Sequence, residues 1–559
     1  MYIAFTRKKY KDTYHEQILL RESYREGSKV KTRTIANFTN QPKEQVEAIA
    51  SALKNRDDIV ITSQNQSQGM SIGFTLIILF VMKQLGILKI LGKDFKAKIA
   101  IVLIVARIVI QTSRLQALYW AKKEDKILDL LEFSSADKDK LTDKTIYQGL
   151  DYIYDNQEII ENKLFKSYYK DNPPKRVFYD VTSSYVEGEY EDSELVAYGY
   201  NRDGKKGKAQ IVIGLLADED GHAISIHTYR GNTNDVKTFA DQLDKLKHRF
   251  KLDNITIVGD GGMIKSDDIV KIKELGYDYI TSIGKPSIKK LIADQDINIQ
   301  QSLFDENLKE VVDDKNSVRY ILRQNPIRRD EIRDTRESKI QRLKEFIELK
   351  SDYYNTHYRA KPEILISNID KKISDLKLNK FISYTSKYEE GNCVIKQSKE
   401  DPITKSKLLV TIEIQIDESI RNIVEELDGC YVVKTSLVDT DKDSKEDIHK
   451  AYKTLIKVEN AFKTLKTEYL EIRPLYLRTD SRIQGHIFIS MLAYNIVHKL
   501  RAYIKDIDLD FKSTIRELSL VSTVVNTINK AISFETIPTV NERLQQLFIY
   551  MKFKLPTRV

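Results

Sequence analysis

The sequence predicts an α/β protein built around one mixed sheet, with a strand hairpin and a helical region ahead of it. Two observations carry this expectation. Strand-like and helix-like segments alternate from about residue 176 to 285, and the helical stretch before them ends at "DNPPK" (171–175), where adjacent prolines stop a helix. A third is size: 559 residues, at roughly 100–200 per domain, suggest three or four units.

Taken in order, residues 14–38, "YHEQILLRESYREGSKVKTRTIANF", read as two strands joined by a turn at "REGSK". Lys29, Lys31 and Arg33 alternate on one face of the second strand; that face suits either a run of phosphates or plain solvent. From about 69 to 170 long apolar stripes with few glycines indicate helices. The stretches "FTLIILFVM" (74–82) and "IAIVLIVA" (99–106) fall short of the roughly 18 residues a membrane-spanning helix needs, and are expected as buried helices of a soluble domain. No membrane partner is expected, and the start of the chain lacks the apolar run of an export signal.

After the prolines the grammar becomes that of strands: 176–187, "KAQIVIGLLAD" (208–218) and "HAISIHTYRG" (222–231), the last two joined by a turn at "DEDG". A helix is expected over 235–250, a short buried strand in "NITIVGDGGM" (254–263), a capped helix over 266–276 and a strand over 277–285. The order β-β-β-α-β-α-β is the ribonuclease-H-like arrangement, although order alone also suits other α/β folds. Residues 286–428 leave that alternation, with a charged helix at 330–351 and strand-like pieces such as "KLLVTIEIQID" (407–417), and are expected as an insertion. "GCYVVKTSL" (429–437) resumes the core, followed by a long helix at about 444–470.

Ninety-one Lys and Arg against 82 Asp and Glu give +9, a mild basic excess that suits nucleic acid without demanding it. Cys393 and Cys430 share no ligand spacing, so neither a disulfide framework nor a zinc site is indicated, and a reducing cytosol fits.

The chemistry is expected from acids. Asp180 interrupts the strand formers of "VFYDVTSSYVEG" (177–188), where an unpaired carboxylate costs several kcal/mol, so it is either a satisfied structural acid or a metal holder. In a ribonuclease-H-like sheet the strand of Asp260, in "IVGDGG", neighbours that of Asp180, so that both acids can reach one divalent ion. A third ligand from a packed helix would be Glu459, on the border of the stripe Leu455, Val458, Phe462 and Leu465. Tyr452, Glu459 and Lys466 recur every seven residues and would form one polar seam on a continuous helix, functional or merely a solvated border. Arg202, Lys205, Lys206 and Lys208 in "NRDGKKGK" form a basic loop suited to phosphates or to an ordinary hairpin tip. Arg473 and Arg482 are further candidates for a DNA path, while His227 and His486 are expected as structural residues.

The set "YDVTSSY", "GYNRDGKKGKAQIVIGLLADEDGHAISIHTYRGNTNDVKTF", "GDGGM" and "VENAFKTLK" resembles the DDE transposases of bacterial insertion sequences whose last motif is Tyr-x2-Arg-x3-Glu-x6-Lys. The resemblance covers about 175–285 and 428–500, and more weakly the hairpin around "RESYREGSKVKTRTI". Tyr452, Glu459 and Lys466 take their places in that signature; its Arg place holds Leu455, leaving that role to a neighbour such as Lys463, and Gly261 stands where many relatives carry Arg. The intervals agree: 80 positions from Asp180 to Asp260 fit one sheet, while 199 from Asp260 to Glu459 need an insertion.

The resemblance implies a hairpin region at 1–66 that contacts DNA, a helical DNA-binding domain at 67–174, a ribonuclease-H-like core at 175–285 and 429–505 split by a strand-containing insertion at 286–428, and a helical tail at 506–559 for dimerisation or DNA contact. It implies Asp180, Asp260 and Glu459 as catalytic metal ligands for two Mg²⁺ ions, with Mn²⁺ able to substitute, and Tyr452 and Lys466 on phosphates. The partners would be double-stranded DNA, the element's terminal inverted repeats and target DNA, met by a homodimer in a synaptic complex in the bacterial cytoplasm at the nucleoid. Two other classes stay open: a catalytically impaired DNA-binding descendant, and another metal-dependent nuclease or phosphatase.

Overall fold

The computed structural model describes residues 1–559 apart from 11–12, 28, 55–63, 171, 201, 203, 206, 295–302, 397–402, 469, 471, 473–474, 529–531 and 558–559. The chain divides into two compact units, Met1–Tyr168 with Thr464–Val559, and Tyr169–Lys463. Residues 464–505, expected within the core, thus group with the N-terminal part.

In the first unit β1 (Tyr2–Tyr10), β2 (Thr13–Glu26) and β3 (Lys29–Asn37) form an antiparallel meander. Gly27, at φ 65°, supplies the left-handed residue of the β2–β3 turn. Ile18, Ala36 and Phe38 close on Val46 of the helix Lys43–Lys54. β4 (Gln64–Ser71) pairs with the strand Ser522–Ile528, near the other end of the chain. The apolar stretches form the buried helices Gly73–Gln84 and Phe95–Val109, and both pack on the helix Asp480–Asp506. Among the described residues no helix is long and apolar enough to cross a membrane.

The second unit is mixed α/β around an eight-stranded mixed sheet. Its strands are β5 (Arg176–Tyr185), β6 (Gln210–Asp218), β7 (Ala223–Arg230), β8 (Thr256–Val258), β9 (Asp278–Ile283), β10 (Lys309–Asp313), β11 (Val318–Gln324) and, after the ribbon of β12 (Ile382–Lys396) and β13 (Ile403–Ile416), β14 (Cys430–Thr435). The sheet order is β10-β11-β14-β9-β8-β5-β6-β7. β5, β6 and β7 pair antiparallel: a long connection, residues 186–209, leads from β5 to β6, and a short turn joins β6 to β7, where the Asp218 carboxylate accepts from the N–H groups of Asp220 and His222, both at 2.9 Å. β5, β8 and β9 are mutually parallel, which requires the crossover helices Asp235–Asp244 and Ser266–Glu274 between them.

The segment expected as an insertion is only partly separate from this sheet. β10 and β11 extend it beyond β14, whereas the helices Pro326–Thr356 and Pro362–Asp375 and the β12–β13 ribbon build their own core around Leu343, Ile369 and Val410. The long helix expected at 444–470 is interrupted: Lys445–Thr454 ends at Leu455, Ile456–Lys463 follows, and Thr464–Glu468 is wound as a π-helix. Cys393 and Cys430 are both free and buried.

Candidate active site

Asp180 sits in β5, where the strand pairs with β8 in parallel, Phe178 opposite Val258. Two residues further along each strand direction, Asp180, midway along β5, and Asp260, just beyond the carboxyl end of β8, stand in the same phase. The carboxyl end of a parallel strand such as β8 is where open α/β sheets commonly present their functional groups. Asp180 is half-buried and Asp260 exposed. Each carboxylate is held by the next backbone N–H, Val181 N to Asp180 Oδ1 and Gly261 N to Asp260 Oδ1, both at 2.7 Å.

Glu459 comes from the helix Ile456–Lys463, which buries Val458, Ala461 and Phe462, packs against β5 and leaves Glu459 exposed. Burial pushes the Asp180 carboxyl up to about 6, against the lowering pull of the Val181 N–H and of Arg202, with Glu459 and Asp260 adding to the rise. Asp260 and Glu459 thus both act on Asp180, and Arg202 is a cation within electrostatic reach of it. Among the described residues no three His, Cys, Asp or Glu side chains stand closed around a metal-sized point.

Tyr452 joins the cluster from the preceding helix, Lys445–Thr454, which packs on β9. Its hydroxyl stands near Ser282, and burial raises its pKa, with Asp260 and Glu459 contributing. Ser282 Oγ in turn donates to Asp260 Oδ1 at 3.3 Å. Ser282 escaped sequence reasoning, although its place near the end of "YDYITSIGK" was the available signal. Ser183 also escaped it: its Oγ accepts from Arg202 N at 3.0 Å and ties the basic loop to β5.

The two departures from the signature have physical reasons. Leu455 is 6% exposed and fills the core at the helix interruption, where Leu455 N bonds Tyr452 O and Val458 N bonds Leu455 O, both i to i−3. A Cβ on Gly261 would lie 2.2 Å from the Ser282 carbonyl oxygen, so no side chain fits there without moving backbone. The interruption also means that Tyr452, Glu459 and Lys466 do not share one continuous α-helix. Tyr452 and Glu459 are nonetheless in electrostatic reach; Lys466 is half-buried on the π-helical turn, in the other unit.

The remaining candidates are dispersed. Lys463 and Lys205 are exposed, and Lys208 is paired with Glu187 at 2.7 Å. Lys29 is exposed, Lys31 is paired with Glu26, and Arg33 with Glu22 at 2.6 Å. Arg482, expected along a DNA path, is held by Asp151 at 2.9 Å over the ring of Tyr147, which occupies its guanidinium within the protein. Lys206 and Arg473 lie outside the described residues. His486 is fully buried, and burial lowers its pKa well below the ordinary value, in keeping with a structural role.

Fold and site define an α/β protein that brings acids from adjacent strands of a mixed sheet together with one from a helix packed on it. The chain belongs to the transposase DDE domain family, which matches residues 171–496, more than half of its length; residues 3–62 match the N-terminal domain of the IS1634 transposase family. It is a DDE transposase of an insertion sequence. Similar solved structures include a piggyBac transposase synaptic complex with hairpin DNA, at 9% identity and TM-score 0.36, over 80% of this chain and 77% of that one. Another is a Mos1 transposase paired-end complex with left transposon end, at 13% identity and TM-score 0.14, over 30% of this chain and 58% of that one. No curated protein matches the chain.

Proposed function

We propose that this transposase binds the terminal inverted repeats of its element and cuts and transfers DNA strands there, in a ribonuclease-H-like catalytic core that takes Asp180, Asp260 and Glu459 as its metal ligands. The observation that carries the reading is the in-phase placement of Asp180 and Asp260 on adjacent parallel strands, with Glu459 close enough to act on Asp180. A set of three carboxylates with no imidazole or thiolate suits Mg²⁺, with Mn²⁺ as substitute. When bound, such ions supply activation of a hydroxyl nucleophile and neutralisation of charge on the leaving oxygen.

The chain's own residues do the rest. The Val181 and Gly261 N–H groups fix the orientation of two of the carboxylates. Ser282 holds Asp260, and the Tyr452 hydroxyl, in electrostatic reach of Asp260 and Glu459, can hold a phosphate oxygen beside the acids. Arg202 offsets part of the negative charge around Asp180 and can meet the phosphate. Lys463, Lys466, Lys205, Lys208 and Lys29 supply sequence-independent affinity for double-stranded DNA, both element ends and target. We place this activity in a homodimeric synaptic complex at the bacterial nucleoid.

The test is Mg²⁺-dependent cleavage of a duplex carrying the element's end. Asp180→Asn, Asp260→Asn and Glu459→Gln should each abolish strand cleavage and leave duplex binding within about threefold, since phosphate contacts elsewhere supply the affinity. Wild-type protein that binds the duplex but never cuts it would favour the impaired-descendant reading, for which Leu455 in the Arg place is the structural hint.

A further inference from the structure

Behind Asp260, on the sheet face away from Tyr452, lies a cleft of about 630 Å³. Side chains alternate along a strand, so Ser282, which reaches Asp260, and Thr281 point to opposite faces of β9. Thr281 lies opposite Lys434 on β14, and Lys434 opposite Tyr320 on β11, which sets the three side chains in one row along the cleft floor. The walls are the first turn of the helix Ser266–Glu274, with Lys265 at its start, and the helix Lys285–Ala293, with Lys290 in its last turn. The second helix begins at Gly284 with no side-chain cap and no acid in its first turn, so its positive end is uncompensated.

Two polar groups here have no use within the protein. Thr281 is 1% exposed, and its Oγ1 finds no hydrogen-bond partner. Lys434 is half-buried and makes no ion pair within 4 Å among the described residues; burial and Lys273 lower its pKa, with Asp313 opposing. A buried unpaired hydroxyl costs free energy unless something meets it. The cleft acids, Asp260 at the mouth and Asp294 at the far end of the second helix, leave the three lysines in excess. The cleft opens beside Asp260, so an anionic group entering it stands next to the acid cluster.

We propose that this cleft binds a backbone phosphate of the DNA flanking the position of strand cleavage, with Lys434 and the recessed Thr281 hydroxyl as its floor contacts and Lys265 and Lys290 at its walls. This rests on the proposed reading of the acids, because it takes the DNA to run past Asp260. It adds a positioning site that adjoins Asp260 but whose phosphate contacts are neither the metal ligands nor Tyr452.

The test measures binding of the full chain to an end-bearing duplex by fluorescence anisotropy from 50 to 200 mM salt, for wild type, Thr281→Val, Lys434→Gln and Asp260→Asn. Lys434→Gln should weaken binding roughly 10-fold and reduce the salt slope by about 0.9, the loss of one phosphate contact. Thr281→Val should weaken binding several-fold with an unchanged slope and a melting temperature at or above wild type, because its hydroxyl has no partner to lose. Wild-type affinity and slope in both variants would overturn the proposal. So would loss of inorganic phosphate binding, measured by calorimetry, with DNA binding intact, since the cleft would then serve free phosphate. Asp260→Asn separates the two readings: persistent cleavage in that variant removes the catalytic assignment, while the cleft is judged on the binding of Thr281→Val and Lys434→Gln alone.

Discussion

Replacing Asp180 by Asn in metal-free protein should stabilise it, although it destroys the proposed site. Asp180 is half-buried, and burial with the push of Glu459 and Asp260 raises its pKa from the ordinary 3.8 to about 6. Two pH units at about 1.4 kcal/mol each correspond to ~3 kcal/mol. The folded pKa exceeds the unfolded one, so the folded chain holds the extra proton between these values, and stability falls as pH rises through that window. The cost is absent below about pH 4, grows towards pH 6 and is full at pH 7.5. Asn keeps the oxygen that accepts from Val181 N and carries no charge to bury. Urea unfolding in EDTA should therefore find Asp180→Asn more stable than wild type by about 2–3 kcal/mol at pH 7.5 and nearly equal to it at pH 4. Adding Mg²⁺ should stabilise wild type and leave the variant unchanged. A variant that is equal to or weaker than wild type at pH 7.5, or a difference that does not change with pH, would refute the assignment of strain to this carboxylate.

Glu459→Gln removes one of the charges acting on Asp180 and should shift the midpoint of that pH-dependent loss downwards, read by the same unfolding series. Gly261→Ala forces a Cβ onto the Ser282 carbonyl oxygen and should cost about 1–3 kcal/mol, with cleavage impaired through Asp260; denaturant midpoints and cleavage rates check both. Leu455→Arg, which restores the family signature in letter, buries a charge in a core position and should lower the unfolding midpoint clearly without raising cleavage. Lys466→Ala should reduce the salt slope of DNA binding by about one contact with Mg²⁺ dependence unchanged; an unaltered slope and cleavage rate would make it an ordinary lysine.

The parts of the fold that were legible share a local cause. β5 announces itself by its strand formers after adjacent prolines, β6 and β7 because their apolar runs are cut by the short Asp/Gly turn at 218–221, and the helix Ser266–Glu274 because Gly276, at φ 74°, follows its end. Elements that depend on distant partners were not legible. β4, "QNQSQGMS", has no apolar alternation; it pairs with a strand some 450 residues away, where Gln66 Nε2 bonds Asn526 Oδ1 at 2.9 Å. β11 carries Arg319, only 1% exposed because Glu310 of β10 pairs with it, so its sequence hid a buried strand behind a charge. The helix interruption at Leu455 leaves no Pro or Gly to read. In the candidate site, the nearness of the acids and Tyr452 to one another was expected from spacing and family resemblance, whereas the contacts of Ser282 and Ser183 exist only once the strands pair and the loop is anchored.

Anomalous scattering from Mn²⁺ in crystals of the full chain with end-bearing duplex tests the central claim most directly. The expected result is manganese density ligated by the carboxylates of Asp180, Asp260 and Glu459, with the scissile phosphate against it. Manganese bound elsewhere in the unit, with these three carboxylates unligated and the DNA end distant from them, would contradict it.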